Sequence, residues 1–245
     1  MSQPRVKLIA LSQPSAITDC HTAEQLVAYS ARVSNPSNQS NKKTADKLVR
    51  YLIKENHWSP LEMVHMTMEI RTTRDIARQI IRHRSFSFQE FSQRYAEATV
   101  FEPRDARLQD EKNRQNSVPI DQDSDLAIRW RKKQEDVKRT SVEAYNWALK
   151  AGIAKEQARA VLPEGNTESV VYMAGSLRSW VHYCELRRGN GTQLEHTKIA
   201  DECWDIVRTH FPNVVKAIEP QPRVCLLYTS PSPRDAHESR MPSSA

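Results

Sequence analysis

Residues 64–95, VHMTMEIRTTRDIARQIIRHRSFSFQEFSQRY, change their hydrophobic period part-way along. Val64, Met66, Met68 and Ile70 alternate with His65, Thr67 and Glu69, the pattern of a half-buried strand. From Thr72 the period lengthens, and Ile76, Ala77, Ile80 and Ile81 form one apolar stripe of a helix. That helix carries Gln79 and Arg82 on a second face, three residues apart, and runs into Arg82-His83-Arg84. Upstream, residues 6–11 (VKLIAL) read as a first strand, residues 23–33 as a short helix, and residues 44–55 as a helix with Ala45, Leu48, Leu52 and Ile53 on one side. His57-Trp58-Ser59-Pro60 interrupts the pattern before residue 64. Downstream, residues 101–125 are polar, contain Pro103 and Pro119 but no glycine, and read as a long loop or insertion. Helices are predicted over 126–150, over 154–161 up to Pro163, and over 169–186 with Met173, Leu177, Trp180, Val181 and Cys184 inward. A last helix, 193–210, buries Ile199, Ala200, Cys203, Ile206 and Val207 and stops at Pro212. The chain reads as α+β, mostly helical with a small mixed or antiparallel sheet, and residues 1–224 as one domain.

A chain of 245 residues with 38% hydrophobic and 27% charged residues is that of an ordinary globular protein with a sizeable core. No apolar run reaches membrane-spanning length, and residues 1–11 lack a signal-peptide layout, so the expected location is cytoplasmic. The net charge of +6 favours anionic partners: nucleic acid, nucleotides or phosphorylated cofactors. The five glycines form neither GxGxxG nor a P-loop, so any phosphate must be gripped by side-chain cations. Cys20, Cys184, Cys203 and Cys225 form no CxxC pair, and no HExxH exists among His57, His65, His83, His182 and His196; no metal is expected. From Cys225 onward the sequence CLLYTSPSPRD resembles a translated sequencing-library adapter, and residues 225–245 are read as that or as a Pro/Ser-rich tail. On the adapter reading the natural C-terminus is missing.

Alone, Arg82-His83-Arg84 reads as a solvated basic patch complementing a helix dipole. The residues that follow alter this. Ser85-Phe86-Ser87-Phe88 alternates hydroxyl and aromatic, and Glu90, Ser92, Arg94 and Tyr95 add carboxylate, hydroxyl and guanidinium groups. Such a mixture suits a ligand with phosphate at one end and amide edges at the other. Arg82-His83-Arg84, seven residues and then Ser92 reproduce the RHR-x7-S signature of flavin-dependent thymidylate synthases. ARVS ending at Ser34, HWSPLE at 57–62, ARAVLP at 158–163, SLRSWVHYCELR at 176–187 and TQLE at 192–195 resemble further stretches of that family, in the same order. The resemblance spans residues 6–212.

It implies a thymidylate synthase-complementing-type fold and a homotetramer whose active sites draw on several subunits. It implies the reductive methylation of dUMP to dTMP, with methylenetetrahydrofolate giving the carbon, FAD carrying hydride and NADPH as reductant. Residue by residue, it places Ser59, Arg82, His83, Arg84, Glu90, Ser176, Arg178 and His182 at FAD, with His57 close by. Gln79, Arg82, Glu90, Ser92, Arg94, Arg159 and Arg187 hold dUMP. Gln89, Met63 and Ser176 depart from the commoner pattern, and Ser176 reaches less far toward FAD than the usual asparagine. Arg178, His182 and Glu185 share a polar helix face. Arg187 is expected to be catalytic, because a cation near N3 of uracil stabilises the N3 anion and enriches C5 in electrons. Ser92 lacks a Ser-His-acid arrangement and is read as orienting dUMP. Three other classes compete: a basic nucleic-acid-binding module, a metal hydrolase, and the thymidylate synthases that attack dUMP with a cysteine.

Overall fold

The computed structural model describes residues 5–98 and 100–219. Residues 225–245 lie outside them. A four-stranded antiparallel sheet has the order β1 (Val6–Leu11), β2 (His65–Thr73), β6 (Glu168–Ser176), β3 (Ser87–Glu90). On β2, Met66, Met68 and Ile70 are buried while His65 and Arg71 are exposed, as the alternation requires. The apolar face packs on α1 (Ala23–Ala31), α2 (Ala45–Lys54), α6 (Leu177–Arg187), α7 (Leu194–His210) and α8 (Pro212–Ile218), which with the sheet form the main core. Across the other face Lys7, Glu69, Tyr172 and Gln89 stand side by side in register, and the Tyr172 hydroxyl donates to Glu69 at 2.9 Å.

Two readings of the sequence are corrected. Residues 169–176 are not helical: β6 is a central strand, paired with β2 from His65↔Ser176 to Thr73↔Glu168. Met173 is buried as expected, but so are Ser169, Val171 and Gly175, a period of two. Secondly, residues 101–125 are not a plain loop. They contain a hairpin of β4 (Arg107–Gln109) and β5 (Ser117–Pro119), and they lead into α4 (Asp125–Lys150), capped by Ser124. The last predicted helix does stop before Pro212, as α7, and Pro212 also opens α8, because proline at the first helical position forfeits only an N–H that has no partner there. Asn213 and Val214 there donate to the buried Glu24 carboxylate of α1.

The predicted helix over 154–161 is a short α5 (Lys155–Ala158) followed by a 3-10 turn, Arg159–Val161. No helix among the described residues is long and apolar enough to cross a membrane.

Candidate active site

The strand-to-helix stretch read first is β2 followed by α3 (Arg74–Ile80). The helix closes at Ile81, so Arg82 stands beyond it rather than on a face shared with Gln79. Arg82 and Arg84 are exposed and have no hydrogen-bond or ion-pair partner among the described residues. His83 between them turns inward. Its Nε2 accepts from Arg187 Nε at 2.9 Å, and its ring meets Tyr183 edge-on at 4.9 Å. Burial, reinforced by the Arg187 charge, lowers the His83 pKa to about 4. The imidazole is therefore neutral at pH 7 and serves as acceptor, which puts its proton on Nδ1. Arg187 is the last residue of α6, and among the described residues only its Nε is engaged, which leaves both terminal nitrogens without a partner there.

A second group forms where residues 57–62 meet the polar face of α6. The 3-10 turn Ser59–Met63 is fixed by the fully buried Leu61. His57 and Ser59 remain exposed, and Trp58 packs edge-on against His182, with ring centroids 4.6 Å apart. Arg178, one turn before His182, pairs with Glu62. Burial and the Arg178 charge lower the His182 pKa. The Ser176 side chain is engaged within its own helix, where its Oγ accepts from Ser179 N at 3.3 Å and caps α6.

The third group surrounds Glu90 at the end of β3. Glu90 accepts from Ser169 Oγ at 2.9 Å and pairs with Arg74 at 3.4 Å and Arg78 at 3.8 Å. Arg74 and Arg78, four residues apart on α3, line a cavity of about 270 Å³ with Arg159, Gln93 and Glu164. Gln93 Nε2 is buried there without a partner. Arg94 pairs with Glu156 at 3.5 Å, and Arg159 Nε donates to the Glu156 carbonyl at 3.2 Å. Ser92 Oγ accepts from Arg94 N at 3.4 Å. No hydrogen bond or ion pair among the described residues joins Ser92, Arg94 or Arg159 to Arg187. A larger hollow, about 800 Å³ between Arg5, Phe101, Glu168 and Glu202, contains none of the predicted site residues.

Residues 16–213 match the family model described as thymidylate synthase complementing protein. The chain is 50% identical over 216 residues to a probable flavin-dependent thymidylate synthase of Paramecium bursaria Chlorella virus 1, covering 87% of this chain and 98% of the relative. This chain belongs to the flavin-dependent thymidylate synthase family. The flavin-dependent thymidylate synthase of Synechocystis sp. is 48% identical over 217 residues, with 87% and 99% of the two chains covered. Among solved structures, the UMP/dUMP methylase PolB from Streptomyces cacaoi bound with 5-Br dUMP superposes with a TM-score of 0.73 at 26% identity, over 87% of this chain and 93% of that one.

Family membership disposes of the competing classes. Two of the cysteines are also unsuited to the cysteine route: Cys184 and Cys203 are fully buried, and burial pushes both thiols up, away from the reactive thiolate. No group of three or more potential metal ligands occurs among the described residues. The sequence reading missed Arg74 and Arg78, whose i,i+4 spacing beside Gln79 was visible, and the aromatic wall supplied by Trp58. It also missed Tyr183, Gln193, Glu195 and His196, whose partners lie far away in sequence.

Proposed function

We propose that this chain makes dTMP from dUMP with methylenetetrahydrofolate as carbon donor, FAD as hydride carrier and NADPH as reductant, in a cytoplasmic homotetramer with shared active sites. The central part of this, an FAD-dependent thymidylate synthase that methylates dUMP, follows from the family. Residues 1–224 act as one domain, and residues 225–245 are a translated sequencing-library adapter or a Pro/Ser-rich tail.

The donor set fits a flavin dinucleotide. Arg82 and Arg84 are exposed, unpaired cations suited to phosphate oxygens. Trp58 and His182 supply an edge-to-face wall for a flat ring, with Ser59, His57 and Arg178 beside it. When bound, FAD supplies the hydride chemistry; the protein binds, orients and polarises. Glu90 and Ser176, engaged elsewhere in this chain, complete the proposed FAD set. Gln79, Arg82, Glu90, Ser92, Arg94, Arg159 and Arg187 form the proposed dUMP set. Its division into groups that do not touch within one chain supports a site built from several subunits.

The observation that carries the mechanism is the Arg187–His83 hydrogen bond. It uses Nε alone and aims a guanidinium whose two terminal nitrogens can meet the uracil edge. A cation held there favours the N3 anion and raises electron density at C5. No enzyme nucleophile is required, in keeping with the burial of Cys184 and Cys203.

Purified without residues 225–245, the protein should be yellow and should oxidise NADPH in a dUMP-dependent manner with methylenetetrahydrofolate. Arg187→Ala should retain flavin and lose about 10²–10³-fold in kcat. A colourless protein that ignores dUMP would refute the reading, and unchanged dTMP formation by the variant would refute the role of Arg187.

A further inference from the structure

The TQLE stretch at residues 192–195 has no role in the scheme above, yet it heads α7 and lies at the centre of a partly buried polar chain. Tyr183 Oη is 3.1 Å from His196 Nε2, and His196 Nδ1 is 3.3 Å from Gln79 Oε1. Gln79 Nε2 donates to Gln193 Oε1 at 2.8 Å, and Gln193 Nε2 donates to Glu195 Oε2 at 3.0 Å. Glu195 accepts from Arg107 Nη2 at 2.6 Å and pairs with Arg104 at 3.2 Å, both arginines delivered by the hairpin segment.

The charged end dictates the direction of every bond. Burial alone would raise the Glu195 pKa, but the donors from Arg107 and Gln193 and the Arg104 charge hold it at about 2. The carboxylate is thus an acceptor only, so Gln193 must turn its NH2 toward it and its carbonyl toward Gln79. Gln79 must then donate to Gln193 and accept from His196. His196 is fully buried, and burial with the Arg187 charge lowers its pKa to about 3, so it holds one proton. That proton lies on Nδ1, and Tyr183, kept protonated by burial, donates to Nε2.

We infer that Glu195, Gln193, His196 and Tyr183 form a relay that locks the amide of Gln79 in one orientation, making this residue the discriminator between uracil and cytosine nucleotides. The inference rests on the reading of Gln79 as a dUMP contact. A glutamine free to flip exchanges carbonyl for NH2 and can serve either base. A locked one cannot, because uracil presents an acceptor at O4 where cytosine presents a donor at N4. The mismatched base leaves polar groups unpaired in the site. The four members of the relay are positioning residues.

The test is equilibrium binding of dUMP and of dCMP to the flavin-loaded enzyme, read from the flavin spectrum, for the parent, Gln79→Ala, Glu195→Gln and Tyr183→Phe. Glu195→Gln makes the fixed end reversible, and Tyr183→Phe releases the His196 tautomer while keeping the ring. Both should lower the dUMP-over-dCMP preference roughly 10- to 100-fold. Weakening of both nucleotides equally, with the preference intact, is the signature of a merely structural role and overturns the relay. If Glu195→Gln disrupts its arginines and does not fold, Tyr183→Phe decides alone. The 15N shifts of His196 should report the Nδ1–H tautomer in the parent and a mixture in Tyr183→Phe; an Nε2–H parent also overturns the relay. Gln79→Ala separates the two layers. An unchanged preference there removes the uracil reading of Gln79, and with it the relay's purpose. A lost preference there, unchanged in the other two variants, removes the relay alone.

Discussion

His83, His182 and His196 are each held below their ordinary pKa, by burial first and by a neighbouring arginine second. A histidine that stays neutral in the folded protein but protonates in the unfolded chain makes stability depend on pH. Below about pH 6.5 the unfolded state binds the extra proton and the folded state does not, so stability falls as pH falls. For His196, fully buried, the loss on going from pH 7.5 to pH 5 is about 2 kcal/mol. Urea midpoints recorded across that range should therefore decrease toward acid. His196→Gln should flatten the slope whatever its effect on absolute stability; a parallel slope would show that His196 does not titrate as its burial requires. The same neutrality makes His83 an acceptor for Arg187, so that guanidinium is oriented by a group that carries no charge at neutral pH.

The junction of β6 with α6 places three site features in succession. Gly175 leaves room for Phe86: a Cβ built on it would lie 2.4 Å from Phe86 Cδ1, and Phe86 is already wedged edge-on against Trp180 at 4.9 Å. Phe86 follows the Arg82–Arg84 segment closely, so the close approach fixes where that segment crosses the sheet. Ser176 then caps α6, and the helix presents Arg178, His182 and Arg187 in turn. Gly175→Ala should destabilise by about 1–3 kcal/mol through overpacking, seen in thermal unfolding. Adding Phe86→Val should recover part of the loss. A double variant as unstable as the sum of its singles would mean that the ring is not what the methyl group meets.

At the scale of the whole molecule, α4 is a long helix that the single chain leaves largely exposed. Over 26 residues it buries only Ala127, Gln134, Tyr145 and Ala148, the last pair in a small second core with Ala98, Ala158 and Leu162. Leu126, Trp130, Val137 and Trp147, which share one side of the helix, remain open, Trp147 at 66% exposure. An apolar face of this extent on one helix is the mark of an interface. Light scattering should give a tetramer for the parent and smaller species for Trp147→Asp, with the helical circular dichroism preserved and dTMP formation lost. A tetramer undisturbed by that charge would place the interface elsewhere, the open face of the sheet being the alternative.

Local pattern determined a good deal of this protein. The alternation over residues 64–70 is strand β2, the VKLIAL run is β1, and the RHR-x7-S spacing leads to the family, because periods of two and of 3.6 and a fixed motif are properties of neighbouring residues. The β6 strand was hidden because Met173, Leu177, Trp180, Val181 and Cys184 keep helical spacing across a strand-to-helix junction. Only pairing with β2, about a hundred residues earlier, makes residues 168–176 extended. The hairpin in 101–125 escaped for a similar reason: its three-residue strands are held by the reach of Arg104 and Arg107 to Glu195, not by an apolar pattern. Likewise the contact from Gln79 to Gln193 spans 114 positions, and that from Arg187 to His83 spans 104. The sequence determined which groups are present for the proposed contacts to anion, flavin and uracil. Their aim was decided by tertiary structure, since hydrogen-bond direction and histidine tautomer depend on partners that only folding brings within 3 Å or so.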